Sequence, residues 1–550
     1  MASGTLETGR EIRSAGGRGR PAEAAAFDHA HWRPSANPWA IAISVMTATF
    51  MVVLDSSVAN VALPHIAGSL SASTDEATWV LTSYLVSNAI MLPATGWISR
   101  RIGRKRLLTL SIILFTGASM LCGMAINMPM LIVARILQGL GGGGMQPLAQ
   151  SILLESFPPI EHGKAMAFYG TGIVVAPVIG PTLGGWITDS YSWRWIFYIN
   201  LPVGLLALFL AGIFIEDPPY LRSKIQGRID GLGFGLMAIW LGTLQLVLDK
   251  GQEADWFEAD WIRWTAAVSC AAFVAFIVRE LRHREPIVQL HVFFSRNFAV
   301  GTLIAGLYGV ILYSTTALLP LFLQTLLGYS ALDSGLAVSP RGLGSMASML
   351  IAGMIANRVD SRLLLAFGFF LLGASTLMLS HVNLGIGMSS VVVPNILNGL
   401  AGGFIFVPLT TLAMSRLRKQ EVGNAAGIYN LVRNIGGSIG IACSTAFLVR
   451  MGQVHQNYLG ANLAPSDASL AAAARGLAGH LAVGGSDPLT AQHKALGAVY
   501  HMMQLQSSLM AYVDCFRLLG YLSLLCILFM LLFRRPKRAG SPAEPAIHGE

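Results

Sequence analysis

Apolar runs long enough to cross a bilayer recur along this chain from Trp39 almost to Phe533, and no other feature restricts its fold so severely. A hydrocarbon core about 30 Å thick takes about 20 residues of α-helix. We count fourteen such stretches, with approximate cores at 39–62, 77–98, 107–127, 129–154, 165–187, 195–215, 230–249, 262–279, 298–325, 334–356, 363–381, 388–413, 425–449 and 512–533. The expected fold class is an all-α polytopic membrane protein. Composition excludes the soluble alternative, since 54% of the 550 residues are hydrophobic and only 12% charged, against about 25% charged in a typical soluble domain.

Most of the 37 lysines and arginines fall on one side of the predicted spans. By the positive-inside rule that side is the cytoplasm, and both termini lie there. The net charge of +9 is thus a topology signal. Its clusters sit at span ends: Arg100, Arg101, Arg104, Lys105 and Arg106; then Arg416, Arg418 and Lys419; then Arg534, Arg535, Lys537 and Arg538. Anionic lipid head groups explain them, and no nucleic-acid partner is implied. The five cysteines fall in or beside apolar spans without paired spacing, which supports neither a disulfide framework nor a metal site.

Residues 1–38 read as a disordered cytoplasmic tail and 534–550 as a second tail. Loops are short except for one segment at about 450–511, on the outer face. Ser466-Asp467 offers a helix start there, Gly484-Gly485 a break, and Asp487-Pro488 an N-cap followed by proline at the first helical position. A helical hairpin is expected, its second arm running into the last span without a stop. It is either a passive connector or a docking element for a partner.

Asp55 lies about two thirds of the way across span 1, between Val52-Val53-Leu54 and Val58. A carboxylate at that depth can exchange a proton if water reaches it alternately from each side; the alternative is a structural ion pair. Arg135, midway through span 4, is its expected electrostatic partner. Arg341 in span 10 and Arg433 in span 13 have no mid-span acid beside them, so their partners would be backbone carbonyls, Asn430 and Asn434, or an anionic group on a cargo. Asn60 and Gln138 are further candidates for a polar cavity. In span 5, Gly172, Ala176, Gly180 and Gly184 recur at intervals of four, with Gly185 beside them, and permit close approach of another helix, while Pro177 and Pro181 remove backbone donors. The stretch from Gly96 to Lys105, with Gly103 and Arg104, is a short basic turn suited to gating or to simple anchoring.

Jointly these patterns resemble the major facilitator superfamily, and within it the fourteen-span drug:proton antiporters of the EmrB/QacA type. The resemblance covers about 39–533 and rests on Leu54-Asp55 to Leu63-Pro64, on Gly96, Gly103 and Arg104, on Arg135 with Gln138 and Gly139, on Gly172 to Gly185, and on Ser192 to Gly204. The chain departs from the general family loop in carrying Arg100 in place of an acid and Asn357 before Arg358. The resemblance implies the major facilitator fold: two six-helix bundles, 39–215 and 298–533, joined by a linker (216–297) with two extra helices. It implies no cofactor, a proton gradient as energy source, Asp55 and Arg135 in proton coupling, and a cargo of hydrophobic or amphipathic small molecules released by rocking of the bundles. In a double-membraned bacterium it further implies an inner-membrane location, a periplasmic adaptor and an outer-membrane channel. A competing reading is an exporter or symporter of an anionic lipid, fatty acid or metabolite on the same scaffold. No spaced metal set, nucleophile elbow or phosphate loop suggests an enzyme.

Overall fold

Helix ends are set by local chemistry that can be read residue by residue. Asn37 caps α1 (Pro38–Ser69) by accepting from the Trp39 amide at 2.9 Å, with Pro38 in the first turn where a missing donor costs nothing. A reciprocal capping box of Ser73 and Glu76 opens α2 (Thr74–Ile102). The following helices are α3 (Arg104–Gly123), α4 (Met128–Gly143), α5 (Met145–Ser156), α6 (His162–Ser190), α7 (Trp195–Tyr198) and α8 (Asn200–Phe214). Then come α9 (Gly231–Lys250), α10 (Asp260–Arg282), α11 (Arg296–Thr325), α12 (Ala331–Val338), α13 (Pro340–Ile355), α14 (Ser361–Leu379), α15 (Ser389–Met414), α16 (Lys419–Ala461), α17 (Ala468–Val483) and α18 (Pro488–Leu528).

This computed structural model describes residues 34–218, 230–283, 286–356, 358–461, 468–483 and 487–533. Most of the two predicted tails, Asn357, Ser466-Asp467, Gly484-Gly485 and the side chain of Pro181 lie outside the described residues. Among the described residues there is no strand, and eleven helices are long and apolar enough to cross a membrane. The three other predicted spans are helical as well. One is α2, whose inward face carries threonine, serine and asparagine; the others are interrupted, α4/α5 at Gly144 and α12/α13 at Ser339-Pro340.

In the first bundle α1 packs on α6 and α8, and α4 on α2 and α3; in the second, α13 and α14 pack on α15, and α16 on α11 and α18. Both bundles use glycine at the tightest seam. A β-carbon on Gly139 of α4 would stand 2.5 Å from the Tyr84 carbonyl oxygen, and one on Gly399 of α15 would fall onto the Arg341 carbonyl. Backbones can approach this closely only without side chains, which in lipid substitutes for a hydrophobic driving force between helices.

The bundles meet through α2 with α16 and α6 with α13. The shared apolar core spans both, from Met51 and Phe115 to Phe298 and Phe369. Some of these contacts lie at the end that carries the Arg104 turn, here the basic end. There Gly96 abuts the Asn424 backbone, and Gly163 faces Ala356. The extra pair α9/α10 lies across the flank, because α9 touches both bundles: Lys250 Nζ donates to Thr78 Oγ1 at 2.6 Å, Thr82 donates to Asp249, and Ser438 of α16 donates to Gln245 at 3.0 Å.

The segment at 450–511 is larger than the predicted hairpin. Beyond position 449, α16 does not stop at its last hydrophobes but continues to Ala461, giving 43 residues and about 65 Å of unbroken helix. No proline interrupts it, and contacts to α18 hold it: His455 to Asp514 at 2.7 Å and Gln456 to the Tyr500 hydroxyl at 3.1 Å. With α17 and the first half of α18 it makes a three-helix extension. Asp487 caps α18 by accepting from Leu489 and Thr490 at 3.1 Å, and that helix runs 41 residues, as the absence of a stop signal predicts.

Candidate functional site

Asp55 is buried, 2% exposed, inside the first bundle. Its Oδ2 accepts from Arg135 Nη1 at 2.7 Å, and its Oδ1 accepts from Gln138 Nε2 at 2.8 Å and Asn200 Nδ2 at 2.7 Å. Arg135 and Gln138 are three apart on α4 and so share a face, with Arg135 Nη1 also donating to Gln138 Oε1 at 2.7 Å. The guanidinium is held from the α2 side by the Val80 carbonyl at 3.1 Å and by the Tyr84 ring, whose centroid lies 4.2 Å from it. Asn200 is fixed through Ser119 at 3.0 Å, which in turn donates to the Phe197 carbonyl at 2.8 Å. Five elements therefore converge on one carboxylate: α1, α2, α3, α4 and the start of α8.

The small-residue face of α6 packs on α1 around this carboxylate. Gly172 lies against Met46, Gly180 against Ser57 and Gly184 against Val58, where a β-carbon would sit 3.2 Å from the Val58 Cα; Gly185 is looser, near Val61. Pro177 is exposed and α6 continues through it.

Asn60, the cavity candidate on α1, is exposed and stands apart from this cluster; five residues along a helix from Asp55 it points about 140° away. The converse omission is Asn200, an amide whose role no charge advertises and whose partner is 145 positions away.

At the basic end Arg104 is buried and ion-paired with Glu155 at the end of α5, an acid that the span pattern did not single out. Gly103 has φ +89° and its missing β-carbon makes room for Asp217, which accepts from the Lys105 amide at 2.8 Å. The turn therefore takes its acids from the ends of α5 and α8, not from its own sequence. Gly103→Ala is expected to lower stability by about 1–3 kcal/mol through backbone strain, whereas Gly117→Ala, with nothing within 4 Å of the added carbon, should not; thermal unfolding of the two purified variants checks the contrast.

Arg341 and Arg433 lie in the second bundle and neither reaches Asp55. Arg433 Nη2 donates to Gln146 Oε1 of the first bundle at 3.3 Å, and Asn430 donates to Gln150 Oε1 at 2.7 Å, so their partners come across the interface and not from one another. Asn434 is half-buried, and its carbonyl accepts from Ser438. Arg341 is held by the hydroxyls of Thr316 at 3.0 Å and Thr315 at 3.4 Å.

Residues 45–441 match the family model of the Major Facilitator Superfamily. The chain is 38% identical to the multidrug export protein EmrB of Haemophilus influenzae over 427 residues, 77% of this chain and 83% of that one. It is 35% identical to the fatty acid resistance protein FarB of Neisseria gonorrhoeae over 444 residues, 81% of this chain and 87% of that one. Its fold is similar to that of the human organic anion transporter MFSD10, with a TM-score of 0.57 at 13% identity, covering 88% of this chain and 99% of that one. The chain belongs to the major facilitator superfamily and is a membrane transporter, not an enzyme.

Proposed function

We propose that this protein exports hydrophobic and amphipathic compounds across a bacterial inner membrane in exchange for protons. The observation that supports this reading is the convergence of three N–H donor groups on the Asp55 carboxylate inside an otherwise apolar bundle. All three address the ionised form. A proton on Oδ2 turns an acceptor into a donor facing Arg135 Nη1, so the ion pair separates and α4 keeps only the weaker Gln138 bond to α1; alternate protonation from the two sides then biases rocking of the bundles. Asn200 and Gln138 hold the carboxylate at the place where this exchange occurs. Similarity to EmrB supports the export direction and the drug-like cargo. The basic end faces the cytoplasm, both termini included, by the charge asymmetry of the loops. The three-helix extension then stands on the opposite face, suited to a periplasmic adaptor leading to an outer-membrane channel.

The test is proton release on adding candidate drugs to inverted vesicles that hold a pH gradient, comparing wild type with Asp55→Asn. Drug-evoked release that disappears in the variant is the expected outcome; equal release in both places the exchange elsewhere.

A further inference from the structure

Arg433 is 7% exposed at the interface between the bundles, and its Nε has no partner. Its surroundings are hydroxyls and amides. Gln146 takes one hydrogen bond, and Tyr169 of the first bundle and Tyr308 and Tyr429 of the second are all within electrostatic reach of the guanidinium. Tyr308 is also within electrostatic reach of Arg341. Every side-chain bond described for these arginines goes to a neutral oxygen. A buried cation served by neutral groups alone is costly, and a fork of N–H donors is the natural receptor of a carboxylate, sulfonate or phosphate.

We propose that Arg433, with Arg341 of the same bundle, binds the anionic head group of an amphiphilic cargo between the bundles. This rests on the export reading and assigns it a substrate class. Gln146, Gln150 and Tyr169 belong to the opposite bundle, so parting of the bundles removes Gln146 from Arg433 and breaks the bond between Asn430 and Gln150 at 2.7 Å. The cation then lacks its cross-bundle acceptor at the moment cargo is admitted. An anionic head replaces it, while the apolar tail is left to side chains packed between the bundles, such as Met349 and Phe406 against Gly170.

The experiment measures equilibrium binding of labelled decanoate, and of decanol as its uncharged counterpart, to the full-length protein in nanodiscs of zwitterionic lipid. Wild type is expected to prefer decanoate. Arg433→Gln and Arg341→Gln should each reduce decanoate affinity about tenfold or more, the scale of one lost charge-assisted bond, with decanol little changed. Arg433→Lys should restore part of the preference. Because Arg433→Gln could disturb the interface, Arg341→Gln, whose guanidinium touches two threonine hydroxyls, carries the test independently. Equal affinity of wild type for both compounds, or an unchanged preference in both glutamine variants, overturns the proposal. Adding phosphatidylglycerol separates the two sources of an anionic head: persistence of decanoate binding supports cargo, and its loss assigns the arginines to bilayer lipid and overturns the cargo claim. Binding requires no proton exchange, so intact decanoate binding without any transport would defeat the export reading alone.

Discussion

Arg135→Met is expected to lower the free energy of unfolding by about 3–5 kcal/mol, and the double substitution Asp55→Leu with Arg135→Met to recover most of that loss. The side chains of the pair are 1% and 0% exposed, so removing the cation leaves a carboxylate buried with two amide donors and no counter-charge. Removing both charges removes the debt of desolvation as well, leaving the smaller cost of unsatisfied amides on Gln138 and Asn200. Denaturation of purified single and double variants measures this, and neither variant should support proton-coupled transport. Equal destabilisation of both would mean that the two charges do not compensate each other.

Export of a monoanion should depend on membrane potential more steeply than export of a neutral or monocationic cargo. One proton entering as one anion leaves moves two charges in the same electrical sense, so 100 mV contributes about 4.6 kcal/mol, against about 2.3 for a neutral cargo and nothing for a monovalent cation at the same stoichiometry. The measurement is transport in proteoliposomes clamped by potassium and valinomycin at constant pH gradient, comparing decanoate with an uncharged and a cationic amphiphile. Decanoate flux insensitive to potential would exclude anion exchange with one proton. Loss of potential sensitivity for decanoate in Arg433→Gln would tie the charge movement to the interface arginines.

The scaffold was largely legible because lipid imposes a length and a hydrophobicity on each span, and both survive in a linear text. Asp55, Arg135 and Gln138 were equally visible, as polar groups at a depth where each needs a reason. Asn200 was not, because it stands in a motif at the edge of a span, where an amide costs little and its partner is set by tertiary packing. Glu155 and Asp217 were hidden for the same reason: an acid at a span end looks like solvent-facing punctuation until the fold brings it against Arg104 or the Gly103 turn. The partners of Arg433 and Asn430 were beyond reach in a stronger sense, since they belong to the opposite bundle and depend on how the two halves dock. The length of α16 was underestimated because hydropathy ends where the bilayer does, whereas a helix ends where its hydrogen bonds do.

The extension has a mechanical consequence. From 488 to 511, α18 carries about 36 Å of continuous helix beyond the last span, joined to it without a hinge. A rod of that length magnifies rotation at its root: each degree of tilt in the second bundle displaces the tip by about 0.6 Å. Anything gripping the tip would feel every half-cycle of the transporter as a stroke, and would resist it if held too tightly.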